Sequence, residues 1–161
     1  MRPELRLPPQ AQPGERARPL VLDTNIVLDL LLFADPAVAT LRTLLQARRL
    51  DWVATQPMRD ELACVLQYPH LQPRMAYYGV TAEGLLAAFD AGSRQVDVAA
   101  RAPYVCKDAD DQKFIDLAVA QRAILLSKDK AVLCMRKRLS NLGVQAAAAI
   151  VFEEIAAACS A

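Results

Sequence analysis

Short apolar runs with no polar residue at alternate positions constrain this 161-residue chain more than any other feature. Leu20-Val21-Leu22, Trp52-Val53-Ala54 and Ala123 to Leu126 are apolar throughout, as strands are when helices cover both faces of a parallel sheet. The stretches between them place apolar residues at helical spacing, as Val38, Leu41, Leu44 and Leu45 do between Pro36 and Arg49. This alternation predicts an α/β domain with about five short, mostly parallel strands between helices. With 54% hydrophobic residues, the chain has enough apolar material for one substantial core.

The spacing predicts helices over 25–33, 36–49, from Pro57 to about Tyr68, from a Thr81 cap to Ala91, 108–121 and 129–138. Residues 69–79 read as a loop, 96–98 as a weak strand, and 144–150 as a last strand whose alanine content also suits a helix. Five of the ten prolines fall in the first nineteen residues, among Arg2, Arg6, Arg16 and Arg18. Residues 1–18 are therefore expected to be a disordered Pro/Arg-rich tail and 19–161 the folded domain.

Several chemistries are excluded early. The cysteines, Cys64, Cys106, Cys134 and Cys159, form no C-x-x-C pair, and His70 is the single histidine, so neither the usual zinc sites nor a histidine-based triad can be assembled. Cysteine usage fits a reducing, cytoplasmic compartment. Apolar runs such as Ala146 to Phe152 fall short of the roughly 20 residues that span a bilayer, so no membrane partner is expected. Neither G-x-G-x-x-G nor a P-loop occurs among the five glycines.

The acids carry more information. Ligands of open parallel sheets bind beyond the carboxyl ends of the strands. Asp23 directly follows Leu20-Val21-Leu22, and Asp129 follows the 123–126 run by way of Ser127 and Lys128. Glu61, three residues after Met58 and four before Val65, and Asp111, ahead of Phe114, Ile115 and Ala118, lie on the inward faces of their helices. Taken singly, an acid in a first helical turn is explained by the macrodipole, at about 0.3–1 kcal/mol. Together, converging carboxylates need a cation. Oxygen ligands without Cys or His suit one or two Mg²⁺ or Mn²⁺ ions. Asp110 either tunes this site or caps its helix, Asp108 reads as an N-cap, and Asp29, Asp90 and Asp116 read as solvated, Asp116 beside Lys113. Lys113 either pairs with Asp116 or binds phosphate.

With these residues, the sequence resembles the PIN-domain family, in its bacterial branch of toxins from toxin–antitoxin pairs. The resemblance rests on Val21-Leu22-Asp23-Thr24-Asn25, Asp60-Glu61-Leu62, Asp108-Ala109-Asp110-Asp111-Gln112-Lys113-Phe114 and Leu126-Ser127-Lys128-Asp129, across roughly residues 20–152. It implies a three-layer α/β/α Rossmann-like fold and a metal-dependent endoribonuclease whose acidic quartet is Asp23, Glu61, Asp111 and Asp129. It further implies a homodimer or higher oligomer and a separately encoded antitoxin protein. Asn25 and Ser127 match supporting polar positions, with Ser127 where threonine is more usual. The proline-rich leader lies outside the family pattern.

Such an enzyme would hydrolyse RNA phosphodiesters with a metal-activated water and no covalent intermediate. Asn25 and Ser127 either orient the acids or serve only their own backbone. Candidate RNA contacts are Arg48, Arg49, Arg101, Lys107, Arg136, Lys137 and Arg138. Trp52, Tyr77 and Tyr78 suit packing better than base stacking. A haloacid-dehalogenase-type phosphatase would want an acid where Asn25 stands, and a receiver-type phosphoacceptor would want an acidic pair near the first strand. A non-catalytic module binding RNA or an antitoxin remains the alternative. Charge does not decide: 19 Lys and Arg face 18 Asp and Glu, but setting the four proposed ligands aside leaves 14 acids and a mildly basic remainder.

Overall fold

The wholly apolar runs form the middle of a parallel sheet. In the computed structural model, which describes residues 2–154, β2 (Arg18–Leu22) lies between β3 (Leu50–Ala54) and β5 (Ile124–Leu126). Outside these, β4 (Arg94–Gln95) pairs with β3 and β6 (Gln145–Ala147) with β5. Every pairing is parallel, and Leu20 lies opposite both Trp52 and Ile124. Leu20, Val21, Val53, Ile124 and Leu125 have 0% exposure, which explains the missing polar alternation. Each large side chain so buried contributes about 1.5–3 kcal/mol.

Eight helices connect and flank the strands among the described residues: α1 (Thr24–Leu31), α2 (Ala39–Gln46), α3 (Gln56–Val65), α4 (Gln72–Tyr78), α5 (Ala82–Gly92), α6 (Gln112–Gln121), α7 (Lys130–Leu133) and α8 (Arg136–Ser140). α6 packs across β2 and β5, α2 on β3 and α8 on β6, while α1, α3 and α5 contact one another. The result is the α/β/α layering expected.

The chain builds outward from β2 through β3 to β4, then crosses back to place β5 and β6 on the other side of β2. That reversal opens a crevice at the carboxyl ends of β2 and β5. The Asp23 N–H donates to the Leu126 carbonyl at 3.0 Å, and the Ser127 N–H to the Ala147 carbonyl at 3.0 Å. The ladder thus extends past the strand ends and seats Asp23 beside Ser127.

Four local expectations differ from the structure. The first residues are not all outside the fold: β1 (Glu4–Leu7) pairs in parallel with β7 (Ala149–Phe152), and its Leu5 and Leu7 pack on the core. The expected loop at 69–79 contains α4, because Leu71 and Met75 bury one turn apart and Gly79, at φ 67°, ends the helix in the left-handed conformation. The third strand lies at 94–95 rather than 96–98, where Val98 is 67% exposed. The last strand is two, β6 in the main sheet and β7 with β1. Cys159 and the end of the expected domain lie outside the described residues.

Candidate active site

The crevice at the switch point collects acids from separate elements. Asp23, at the end of β2, is 5% exposed. Its Oδ2 accepts a 2.6 Å hydrogen bond from the Ser127 hydroxyl, whose oxygen in turn accepts the Asp129 N–H at 3.0 Å. Ser127, with 0% exposure, therefore ties the end of β2 to the start of α7. Asp129 caps α7 by accepting from the Ala131 N–H at 2.9 Å. Burial pushes the Asp23 carboxyl above its ordinary range, partly offset by bonds from Ser127 and the Thr24 N–H and reinforced by the charges of Glu61 and Asp129.

Asp111 comes from the short 3₁₀ turn Ala109–Asp111 that leads into α6. It is 7% exposed, and its Oδ2 is buried with no hydrogen-bond partner among the described residues. Its carboxyl is pushed up to about 8, chiefly by burial, then by a hydrogen bond with Asp129 and by the charges of Asp23, Asp129 and Asp108. Carboxylate oxygens of Asp108, Asp111 and Asp129 lie within 4.8 Å of one another. A buried, unpartnered carboxylate oxygen beside two more carboxylates is costly unless a proton or cation neutralises it. A hard divalent ion suits this all-oxygen donor set.

Glu61, on α3, is held differently: Lys113 Nζ sits 2.8 Å from its Oε1, and the Thr24 hydroxyl donates to its Oε2. Asp23, Thr24, Asn25, Glu61 and Asp111 line a 600 Å³ cavity together with apolar Leu28, Phe33, Val65 and Leu71 and with exposed Tyr68, His70 and Arg74. Asp129 opens instead into an adjoining 400 Å³ cavity with Lys128 and Arg2.

The structure thus brings Asp23, Glu61, Asp111, Asp129 and Ser127 to one place, with exposed Asn25 where the two cavities meet. No hydrogen bond joins Asn25 to an aspartate among the described residues. Asp110 is exposed; its N–H donates to Asp108 and its carbonyl accepts from Lys113 at 2.5 Å. Two participants go beyond the sequence reading. Thr24 was visible only as the residue after Asp23, and Asp108, which does cap its turn, also faces Asp111 at the i,i+3 spacing of a helix.

Other assignments change. Asp116 is not solvated with Lys113; it accepts from the Ala102 N–H and from Gln112 Nε2, both at 2.8 Å, and pins the 96–108 segment to α6. Asp29 is 9% exposed and pairs with Lys128 at 2.5 Å. Asp90 is exposed but paired with Arg59 at 2.8 Å. Arg48 and Arg49 precede β3 and so sit at the opposite end of the sheet from the acids, roughly 15 Å away along five residues of strand. Arg49 is also engaged, donating to the Pro8 carbonyl at 2.7 Å with Glu15 at 3.8 Å. Arg136, Lys137 and Arg138 are exposed on α8, where Arg138 lies 5.7 Å from the Tyr104 ring centroid. None of these five basic residues lines either acidic cavity. Exposed Lys107 adjoins Asp108, and exposed Arg101 lies in the pinned segment.

Comparison with known proteins agrees with this architecture. The family profile described as PIN domain matches residues 19–131. The chain belongs to the PIN domain family, whose members are generally nucleases that use divalent metals. Among solved structures, one similar chain is from the crystal structure of VapBC2 from Rickettsia felis bound to a DNA fragment from their promoter. The TM-score is 0.55 at 15% identity, covering 80% of this chain and 98% of that one. No curated protein matches. No single helix among the described residues is long and apolar enough to cross a membrane.

Proposed function

We propose that this protein is a metal-dependent endoribonuclease, the toxin of a toxin–antitoxin pair, acting in the cytoplasm. The observation that carries the reading is Asp111: a buried carboxylate oxygen without a partner, aimed into a cluster with Asp108 and Asp129 and close to Asp23. Mg²⁺ or Mn²⁺, one ion or two, would be held by carboxylates drawn from Asp23, Glu61, Asp111 and Asp129, with Asp108 beside them. When bound, the ion supplies Lewis-acid polarisation of the phosphoryl oxygens and a water acidic enough to attack near neutral pH.

The chain's own groups do the positioning. Ser127 fixes the Asp23 carboxylate and the backbone at Asp129. Thr24 and Lys113 orient Glu61 from opposite sides. Leu28, Phe33 and Leu71 give the cleft one apolar wall. No nucleophilic side chain is needed, consistent with His70 lining the cavity with no serine or cysteine among its other lining residues.

The antitoxin partner is supported by the structural likeness to a chain of a VapBC2 assembly, and the oligomer by the family resemblance. Cleavage of a labelled RNA in Mg²⁺ or Mn²⁺ tests the reading. Asp23→Asn and Asp129→Asn are each expected to lose more than the roughly 10–100-fold typical of outer-shell substitutions. Undiminished RNA loss in both variants, or cleavage that ignores the metal, overturns the metal-dependent nuclease reading.

A further inference from the structure

The two cavities beside the acids are arms of one groove, since both are lined by Asn25, Leu28 and Phe33. The first arm carries Arg74 with the carboxylates of Asp23, Glu61 and Asp111, and the second carries Arg2 and Lys128 with Asp29 and Asp129. Cations beside an acidic, metal-binding centre complement a polyanion lying across it.

Arg2 is held at this position by the fold. The Ala148 N–H donates to the Pro3 carbonyl at 2.8 Å, and the β1–β7 register continues directly with Glu4 opposite Ala149. Ala148 in turn follows β6, which pairs with β5, the strand that leads into Lys128. Backbone pairing therefore sets Arg2 against Lys128 across 400 Å³ of open cleft. Lys128 is already neutralised by Asp29 at 2.5 Å, whereas Arg2 has no carboxylate partner among the described residues.

We propose that the N-terminal segment forms one wall of an RNA groove, in which Arg2, with Lys128 beside it, binds a backbone phosphate flanking the one that is cut. This rests on the nuclease reading above. Phosphate contacts position a strand without reading its sequence.

The test measures binding of a labelled single-stranded RNA of mixed sequence in Mn²⁺, using the Asp23→Asn background so that the strand is held but not cut. Arg2→Ala is expected to weaken binding about three- to tenfold whatever the sequence, and to lower the salt slope by about one. Arg2→Glu should weaken it further. Arg48→Ala, at the far end of the sheet, should leave it unchanged. Thermal melting of each variant at the temperature of its parent shows that the fold is kept. Arg2→Ala with the parent's affinity and salt slope overturns the groove. Wild-type protein that neither binds nor cuts RNA in Mn²⁺ overturns the nuclease reading itself, which the first result leaves standing.

Discussion

Ser127 bridges two of the acids with one hydroxyl, donating to Asp23 and accepting from the Asp129 N–H. Alanine there leaves a buried carboxylate oxygen short of a donor and loosens the start of α7. Ser127→Ala is expected to cost about 10–100-fold in metal affinity or cleavage, with Ser127→Thr restoring most of it. Wild-type cleavage and Mn²⁺ affinity in the alanine variant would contradict this role. Asp111 makes a prediction about pH. Its carboxyl moves from an ordinary 3.8 to about 8 in the fold, so across that window the folded state holds a proton that the unfolded state has released. Stability of the metal-free protein therefore falls as pH rises from about 4 to 8, and that contribution is gone above it. Thermal melts in EDTA should show this decline in wild type and a flatter profile in Asp111→Asn; parallel profiles would contradict the assignment. Asp23 and Asp129 were legible in sequence because each ends an apolar run. Thr24 and Asp108 were not, since a hydroxyl or an acid ahead of a helix looks the same whether it only caps or also faces a partner.

At the scale of elements, β2, β3 and β5 were legible because burial on both faces removes polar residues from a strand. β1 was not. Glu4-Leu5-Arg6-Leu7 alternates as a one-sided strand does, and Leu5 and Leu7 do turn inward. Four residues beside a proline cluster are nevertheless too few to stand out, and the partner β7 lies at the other end of the chain. The same non-local pairing split the expected last strand in two, because the residues after Ala148 follow β1 and leave the main sheet. α4 was hidden by its prolines, which sit at the first turns where a helix tolerates them. Basic residues are a related case. Charge runs show in sequence, but only the direction of β3 shows that Arg48 and Arg49 sit at the end of the sheet away from the acids.

Across the whole molecule, strand order does what no local pattern could. Reversing direction between β2 and β5 sets two strand-end aspartates side by side, and α3 and α6 bring Glu61 and Asp111 to the same crevice. Near-zero net charge then resolves into an acidic centre with Arg74 lining one of its cavities and Arg2 and Lys128 the other. The proposed activity depends on that centre taking up a divalent cation. Isothermal titration of the chelator-treated protein with Mn²⁺ measures this directly. Wild type should bind one or two ions per chain, and Asp111→Asn, with the fold preserved, should bind at least about tenfold more weakly. No Mn²⁺ uptake by wild type, or equal uptake by Asp111→Asn, would contradict it.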